Sequence, residues 1–288
     1  MDELVVIGMG HIGGSVAAAA MANSLFTRVT GVEIEPKHRA RATERLLADS
    51  VTASLDGLTN AGLVVVAVPP SRTADVVEQA LLACPRAVVT DTCGVKAPIL
   101  ARVRKRSPHA HRFVAAHPMA GTAASGPDSA DAKLFEGRTV VIAVDAATDM
   151  SAVAAVEGLW RAIGATVVRE EPEAHDRAIA MVSHVPHALA FSLVAAAAGR
   201  EGTDASYART ARLAGPSFES ATRVAASDPA MWSELFLSNR DALMESLGNF
   251  RVALAALEAD VLSGNSAALT DRLARLRRWK TGAGKDAS

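Results

Sequence analysis

An apolar run, Leu4-Val5-Val6-Ile7, passes directly into Gly8-Met9-Gly10-His11-Ile12-Gly13 and then into an alanine-rich stretch of helical character. No other feature constrains the chain as much. A strand, three glycines at this spacing and a helix, in that order, form the frame of a dinucleotide-binding βα unit. Gly8 permits the tight turn, Gly10 lets a pyrophosphate approach the backbone, and Gly13 lets helix and strand close up. The turn through His11 and Ile12 then presents unpaired N–H groups and the positive end of the helix to the phosphates. Glu33 ends a second apolar strand, where a carboxylate accepts hydrogen bonds from ribose hydroxyls and repels a 2′-phosphate. Ile34 beside it offers no guanidinium, so the expected cofactor is NAD rather than NADP.

Further β-branched runs at residues 29–32, 63–68, 87–90, 112–115, 138–144 and 165–168 alternate with helical stretches at 36–47, 72–84, 97–105 and 152–163. Nearly unbroken apolar strands in such alternation imply a parallel sheet covered on both faces. The expected fold is therefore α/β: an N-terminal Rossmann-type doubly wound parallel sheet over residues 1–170, followed by an all-α C-terminal domain. Val68-Pro69 and Asp91-Thr92 end two of the strands, at the edge where open α/β sheets bind ligands, and they join the expected cofactor site. After Glu170-Glu171-Pro172 the β-runs stop. Residues 171–280 read as a helical domain, and 281–288 as a loose tail.

Asp228-Pro229 pairs an N-cap acid with a first-turn proline. From there Trp232, Phe236, Asn239, Leu243, Leu247, Phe250, Leu254, Leu257 and Val261 step by threes and fours as far as Gly264. Such a seam lines the core of its own domain or packs against a second copy. A homodimer through the C-terminal helices is expected, since so small a helical domain has few elements to cover so long a stripe.

Thirty Lys and Arg against 31 Asp and Glu leave a net charge of -1, no field that invites nucleic acid or an anionic membrane. The basic cluster from Arg272 to Lys280, with Trp279 as its sole aromatic, reads as a solvated helix face. No basic signal-like start is seen, and no apolar run approaches the roughly 20 residues that a bilayer requires. Cys84 and Cys93 make neither a disulfide framework nor a zinc site. A cytoplasmic protein without membrane, nucleic-acid or metal partners is expected.

His117-Pro118-Met119-Ala120-Gly121-Thr122 follows an apolar strand, and Ser183-His184-Val185-Pro186-His187 interrupts a long helical pattern. Together with Gly8-Met9-Gly10-His11-Ile12-Gly13-Gly14-Ser15, Thr90-Asp91-Thr92-Cys93-Gly94-Val95-Lys96, Leu134-Phe135-Glu136-Gly137-Arg138, Thr222-Arg223-Val224-Ala225 and Ser227-Asp228-Pro229-Ala230-Met231-Trp232, these segments fall in one family's order. Over about residues 4–262 the sequence resembles the prephenate/arogenate dehydrogenases of tyrosine biosynthesis. The resemblance implies NAD-dependent oxidative decarboxylation of a small cyclohexadienyl substrate, prephenate giving 4-hydroxyphenylpyruvate or arogenate giving tyrosine. It implies His117 as the general base, and Thr122, Ser183, His184, His187, Arg223 and Trp232 around the substrate, with Arg223 on a carboxylate. Neither a mutase segment ahead of residue 4 nor a regulatory domain after the last helix is expected.

The sequence also departs from the family pattern. Gly94 stands where many members carry serine, Ala123 where many carry glutamate, and Glu219-Ser220 precede Arg223 where many carry a basic residue. Gly94 leaves a dehydrogenase for 4-amino-4-deoxyprephenate as an alternative. Glu219, four residues before Arg223, could pair with a substrate ammonium, which favours arogenate over prephenate. A non-catalytic NAD-binding regulator would keep the glycines but need neither His117 nor Arg223.

Overall fold

A computed structural model describes residues 3–120, 125–199 and 202–282. The first half alternates β1 (Glu3–Ile7), α1 (His11–Ala22), β2 (Arg28–Val32), α2 (Pro36–Glu44), β3 (Ser50–Thr52), β4 (Leu63–Val66), α3 (Pro70–Ala83), β5 (Val88–Asp91), α4 (Ala97–Arg106), β6 (Phe113–Pro118), β7 (Thr139–Ala143), α5 (Met150–Ala162) and β8 (Thr166–Glu170). The strands form one sheet in the order β3-β2-β1-β4-β5-β6-β7-β8. Side chains of a strand point alternately to opposite faces. Leu4 and Val6 accordingly pack with Val16 of α1 and Trp160 of α5, while Val5 and Ile7 pack with Val77 and Leu81 of α3 and Leu100 and Val103 of α4. The doubly wound arrangement follows.

Two features depart from the expected parallel sheet. The short edge strand β3 has no apolar run to announce it, and β7 pairs antiparallel with β6 through Ala116↔Ile142 and His117↔Val141. The order reverses direction of build between β1 and β4, whose carboxyl ends therefore open the crevice in which such sheets bind ligands.

The second half is helical: α6 (Pro172–Ile179), α7 (Val185–Ala197), α8 (Asp204–Ala211), α9 (Pro216–Thr222), α10 (Pro229–Ser238), α11 (Arg240–Ser263) and α12 (Ser266–Gly282). A π turn over Ala180–His184 joins α6 to α7. Pro186 has no N–H to offer the preceding turn and its ring crowds the carbonyl four residues back, so the helix widens there instead of breaking. The joined helix, Pro172–Ala197, spans 26 residues with a mean hydropathy of 1.6 over its apolar window, contrary to the expectation that no apolar stretch reaches a bilayer's thickness. Its length and composition would suffice for a span. It also carries His175 and Asp176, buried and hydrogen-bonded into the sheet half of the molecule, and His184, buried against Asn239, and such groups are expensive in hydrocarbon.

The seam from Trp232 to Val261 is not one helix. Asn239 breaks it between α10 and α11 and turns its side chain inward, donating from Nδ2 to the Asp176 carbonyl at 2.9 Å. Trp232 and Leu243 are buried, whereas Val252, Leu254, Val261 and Leu262 are exposed. The helix α12 continues through Thr281 and Gly282, two residues into the stretch read as tail, and 283–288 lie outside the described residues.

A methyl group on Gly13 would sit 1.9 Å from the Gly8 carbonyl oxygen, whereas one on Gly10 would meet nothing within 4 Å. Gly13→Ala should therefore cost about 1–3 kcal/mol of stability by overpacking, and Gly10→Ala should leave thermal unfolding unchanged. Melting curves of the two variants, read against the wild type, check the contrast.

Candidate active site

The cofactor crevice is built by the β1–α1 turn. Gly8 has φ +90, a conformation side chains rarely adopt, and a Cβ there would lie 2.3 Å from the Ala67 carbonyl oxygen and 3.2 Å from Val68 Cγ1. Gly10 faces open space at the start of α1. This is the cradle a pyrophosphate needs, bare backbone beneath a helix N-terminus. Glu33 lies almost wholly buried beside it, its Oε2 accepting from the Met9 N–H at 2.9 Å and its Oε1 from the Glu35 N–H at 3.0 Å. It thus braces the glycine turn from the second strand. A guanidinium does stand nearby, supplied by Arg39 and not by position 34, but its Nη1 donates to the Glu33 and Ile34 carbonyls.

His11 turns its ring toward the 127–131 segment, where Nδ1 lies 2.6 Å from the Ser129 carbonyl oxygen. Ile12 packs against the core, and Pro69 and Thr92 retain exposure at the carboxyl ends of β4 and β5. These residues fit a dinucleotide. Asp91 does not belong with them. It is fully buried, its Oδ1 accepting from the Ala116 N–H at 3.0 Å and its Oδ2 from the Cys93 N–H at 3.1 Å and Lys96 Nζ at 2.6 Å. With no exposure it is out of a cofactor's reach, so its position at a strand end reflects support of the site and not contact with a ligand.

His117 lies in β6, where it pairs with Val141 of the antiparallel β7. Its Nδ1 is 2.9 Å from His175 Nε2, and His175 Nδ1 is 2.8 Å from Asp176 Oδ1. A carboxylate only accepts, which settles the protons along the chain of a neutral pair. His175 donates from Nδ1 to Asp176, leaving Nε2 a lone pair. His117 therefore donates from Nδ1, and its Nε2 lone pair is free. That nitrogen faces Gly94, at 3.7 Å from where a Cβ would stand. Part of the ring stays accessible, yet protein surrounds it on nearly all sides. Burial, then the charges of His175, Lys96 and His184, push His117 well below the ordinary imidazole value. Near pH 7 it is a neutral acceptor.

The Asp176 carboxylate also accepts from the N–H groups of Lys96 and Ala97, both at 2.9 Å, and so caps α4 from the helical half of the chain. Sequence reasoning did not single out His175, Asp176, Lys96 or Asn239 as site residues. Contacts between the two halves bring His175, Asp176 and Lys96 to His117, and Asn239 joins them through the Asp176 carbonyl.

The helical side of the site holds His187, whose ring stacks on Trp232 with centroids 3.4 Å apart, while its Nδ1 donates to the Ser183 carbonyl at 2.9 Å. Burial, opposed by the Ser183 carbonyl and aided by the nearby Arg223 guanidinium, lowers His187 below the usual value. Arg223 itself is exposed, in the 3-10 turn after α9. His184 does not line a pocket. It is 1% exposed, enclosed by Trp232, Phe236 and Asn239, and burial drives its pKa to about 4. Glu219 is exposed and forms no ion pair with Arg223. Thr122 and Ala123 lie outside the described residues. Burial raises the Cys93 thiol, the opposite of what a reactive thiolate requires.

The family model for the prephenate dehydrogenase nucleotide-binding domain matches residues 16–169, and that for the prephenate dehydrogenase dimerization domain matches 171–275. The chain is 33% identical over 270 residues to a cyclohexadienyl dehydrogenase of Zymomonas mobilis, covering 90% of this chain and 91% of that one. A solved prephenate dehydrogenase of Aquifex aeolicus, in complex with hydroxyphenyl propionate and NAD+, superposes with a TM-score of 0.91 at 26% identity, covering 98% of each chain. Synechocystis arogenate dehydrogenase superposes with a TM-score of 0.81 at 26% identity, covering 98% of this chain and 99% of that one.

Three histidines held neutral by burial make folding stability depend on pH. An unfolded chain takes up protons at these sites below about pH 6.5 while the native state does not. Stability is therefore fully present above that pH and falls on acidification through the folded values. For His184, lowered from 6.5 to about 4, the loss across that window is about 3 kcal/mol at 1.36 kcal/mol per pH unit. Denaturant unfolding at a series of pH values should show this slope, and His184→Gln should flatten it.

Proposed function

This chain belongs to the prephenate dehydrogenase family, and we propose that its active site works through His117. The family's activity, oxidative decarboxylation of prephenate or arogenate with NAD, is the activity of this enzyme. Residues 1–170 form the nucleotide-binding domain in this reading, and 171–280 the substrate-binding and dimerisation domain. The observation that carries the reading is the hydrogen-bonded series His117–His175–Asp176, which leaves a neutral, unshared Nε2 beside the crevice.

The glycine turn, with His11, Ile12, Glu33, Val68, Pro69 and Thr92, would hold the dinucleotide. When bound, the oxidised nicotinamide supplies a hydride acceptor. His117 Nε2 accepts the proton of the C4 hydroxyl as C4 is oxidised. The charge gained is shared through Nδ1–H with His175 and stabilised by Asp176. The new carbonyl is conjugated through the ring to C1, so the bond from C1 to its carboxylate breaks, CO2 leaves and the electron pair enters the ring. The ring becomes aromatic, and its oxygen recovers the proton from His117. Arg223 would grip a substrate carboxylate with its planar fork, beside the His187–Trp232 stack and Ser183. Thr122 completes the substrate set on the family resemblance alone.

The helical half leaves much apolar surface uncovered: only 28% of the apolar window of the α6–α7 helix is buried. That exposure supports a homodimer through the C-terminal helices. Two free, buried cysteines suit a reducing cytoplasm. Glu219, unpaired with Arg223, keeps its carboxylate available for a substrate ammonium, which favours arogenate. Gly94 keeps 4-amino-4-deoxyprephenate as the alternative.

NADH formation with purified prephenate, arogenate and 4-amino-4-deoxyprephenate, compared side by side, tests the substrate. Glu219→Gln should lower kcat/KM for arogenate and spare prephenate; equal losses on both remove Glu219 from the account. His117→Asn should retain NADH binding and lose roughly 10²–10⁴ in kcat, the usual contribution of general acid–base catalysis. A His117→Asn enzyme with near wild-type turnover would show that another group is the base.

A further inference from the structure

We propose that Lys96 is the positioning residue for His117, acting through the Ala116 backbone on one side and through Asp176 on the other. The proposal rests on the reading of His117 as the base. The parallel ladder between β5 and β6 consists of Val89↔Phe113 and Thr90↔Val114 and goes no further. Beyond it, the two backbone groups of Ala116 that face β5 are taken up by an ion pair instead of a strand. The Ala116 N–H donates to Asp91 Oδ1 at 3.0 Å, and Lys96 Nζ donates to the Ala116 carbonyl at 2.7 Å and to Asp91 Oδ2 at 2.6 Å. Ala116 immediately precedes His117. The pair thus sets where the last part of β6 lies, and with it the catalytic ring.

The same residue reaches the other support of that ring. The Lys96 main-chain N–H donates to Asp176 Oδ1, the oxygen that also accepts from His175. A single residue therefore ties together the backbone behind His117 and the far end of its hydrogen-bond chain. Lysine is an unusual choice for a site with no exposure at all, because a buried ammonium must be fully compensated. The Asp91 carboxylate already has two main-chain donors, from Cys93 and Ala116. What the ammonium adds is a donor to the Ala116 carbonyl. The charged and titratable groups around His117 are His175 and Asp176 on α6, His184 in the π turn, and Asp91 and Lys96 beneath β6; among them His175, Lys96 and His184 oppose protonation of the ring.

The test compares Lys96→Met with the double variant Asp91→Asn/Lys96→Met, which removes the ion pair without stranding a charge. NADH binding serves as the control for a folded nucleotide-binding half, and His117→Asn runs in parallel. Both Lys96 variants should bind NADH as the wild type does and lose roughly 10- to 100-fold in kcat, the scale of a misplaced catalytic group. In Lys96→Met the acid limb of kcat/KM should also move to higher pH, since the ammonium is gone and the Asp91 carboxylate stays; the double variant loses both charges and should move it less. A purely structural lysine would lower the melting temperature and leave the limb of Lys96→Met in place. A folded double variant with wild-type kcat overturns the proposal. So does failure of both variants to bind NADH, which would make Lys96 a residue of the fold alone. If His117→Asn retains turnover, the fault lies with the assignment of the base and not with Lys96.

Discussion

The carboxylate of Asp176 is the contact on which the rest of the site depends. It belongs to the first helix of the C-terminal half, yet it accepts from the N–H groups of Lys96 and Ala97 and so caps α4 of the sheet domain. Orphan N–H groups at a helix start favour a negative charge, so the cap also fastens the two halves together. The same carboxylate is the terminal acceptor for His175 and, through it, fixes which nitrogen of His117 carries a proton. Docking of the two halves and the chemical state of the proposed base are set by one group. A change in the seating of the helical half would reach His117 without any contact to substrate.

Packing around that group follows from backbone chemistry. Pro186 forces the π turn, and the π turn carries His184 on the register that meets Asn239 and Trp232. Asn239 breaks the long helical seam and places its amide on the Asp176 carbonyl. Two irregularities in otherwise regular helices thereby meet at the same residue. The apolar surface left over on α6, α7 and α11 faces outward, in keeping with the match of this half to a dimerization domain.

Much of this was legible in the sequence, and the reason is periodicity. Apolar strands, the glycine turn after residue 7 and the shift to helical patterns beyond Pro172 all express local preferences that survive in the fold. His117, Ser183, His187, Arg223 and Trp232 are proposed on the family resemblance, and Glu33 on its distance from the glycines. The remainder depends on contacts between residues far apart in sequence. His175-Asp176 is an unremarked dipeptide in a helix until Asp176 bonds to Lys96, 80 residues earlier. Asp91 looked like a ligand contact because strand ends carry ligands, but an acid there serves equally to accept from a neighbouring strand that has left its ladder. The reversal at β7 and the short β3 lack any apolar signal, and Asn239 kept the three-to-four spacing of the seam while breaking it.

The central claim is that His117 is a neutral imidazole with its proton on Nδ1 and a lone pair on Nε2. Nitrogen NMR of the histidine-labelled enzyme at pH 7, with His117 assigned by comparison with His117→Asn, measures this directly. A protonated Nδ1 and an unprotonated Nε2 are the expected result, with Asp176→Asn redistributing the two signals. An imidazolium at pH 7, or the tautomer with its proton on Nε2, would contradict the account.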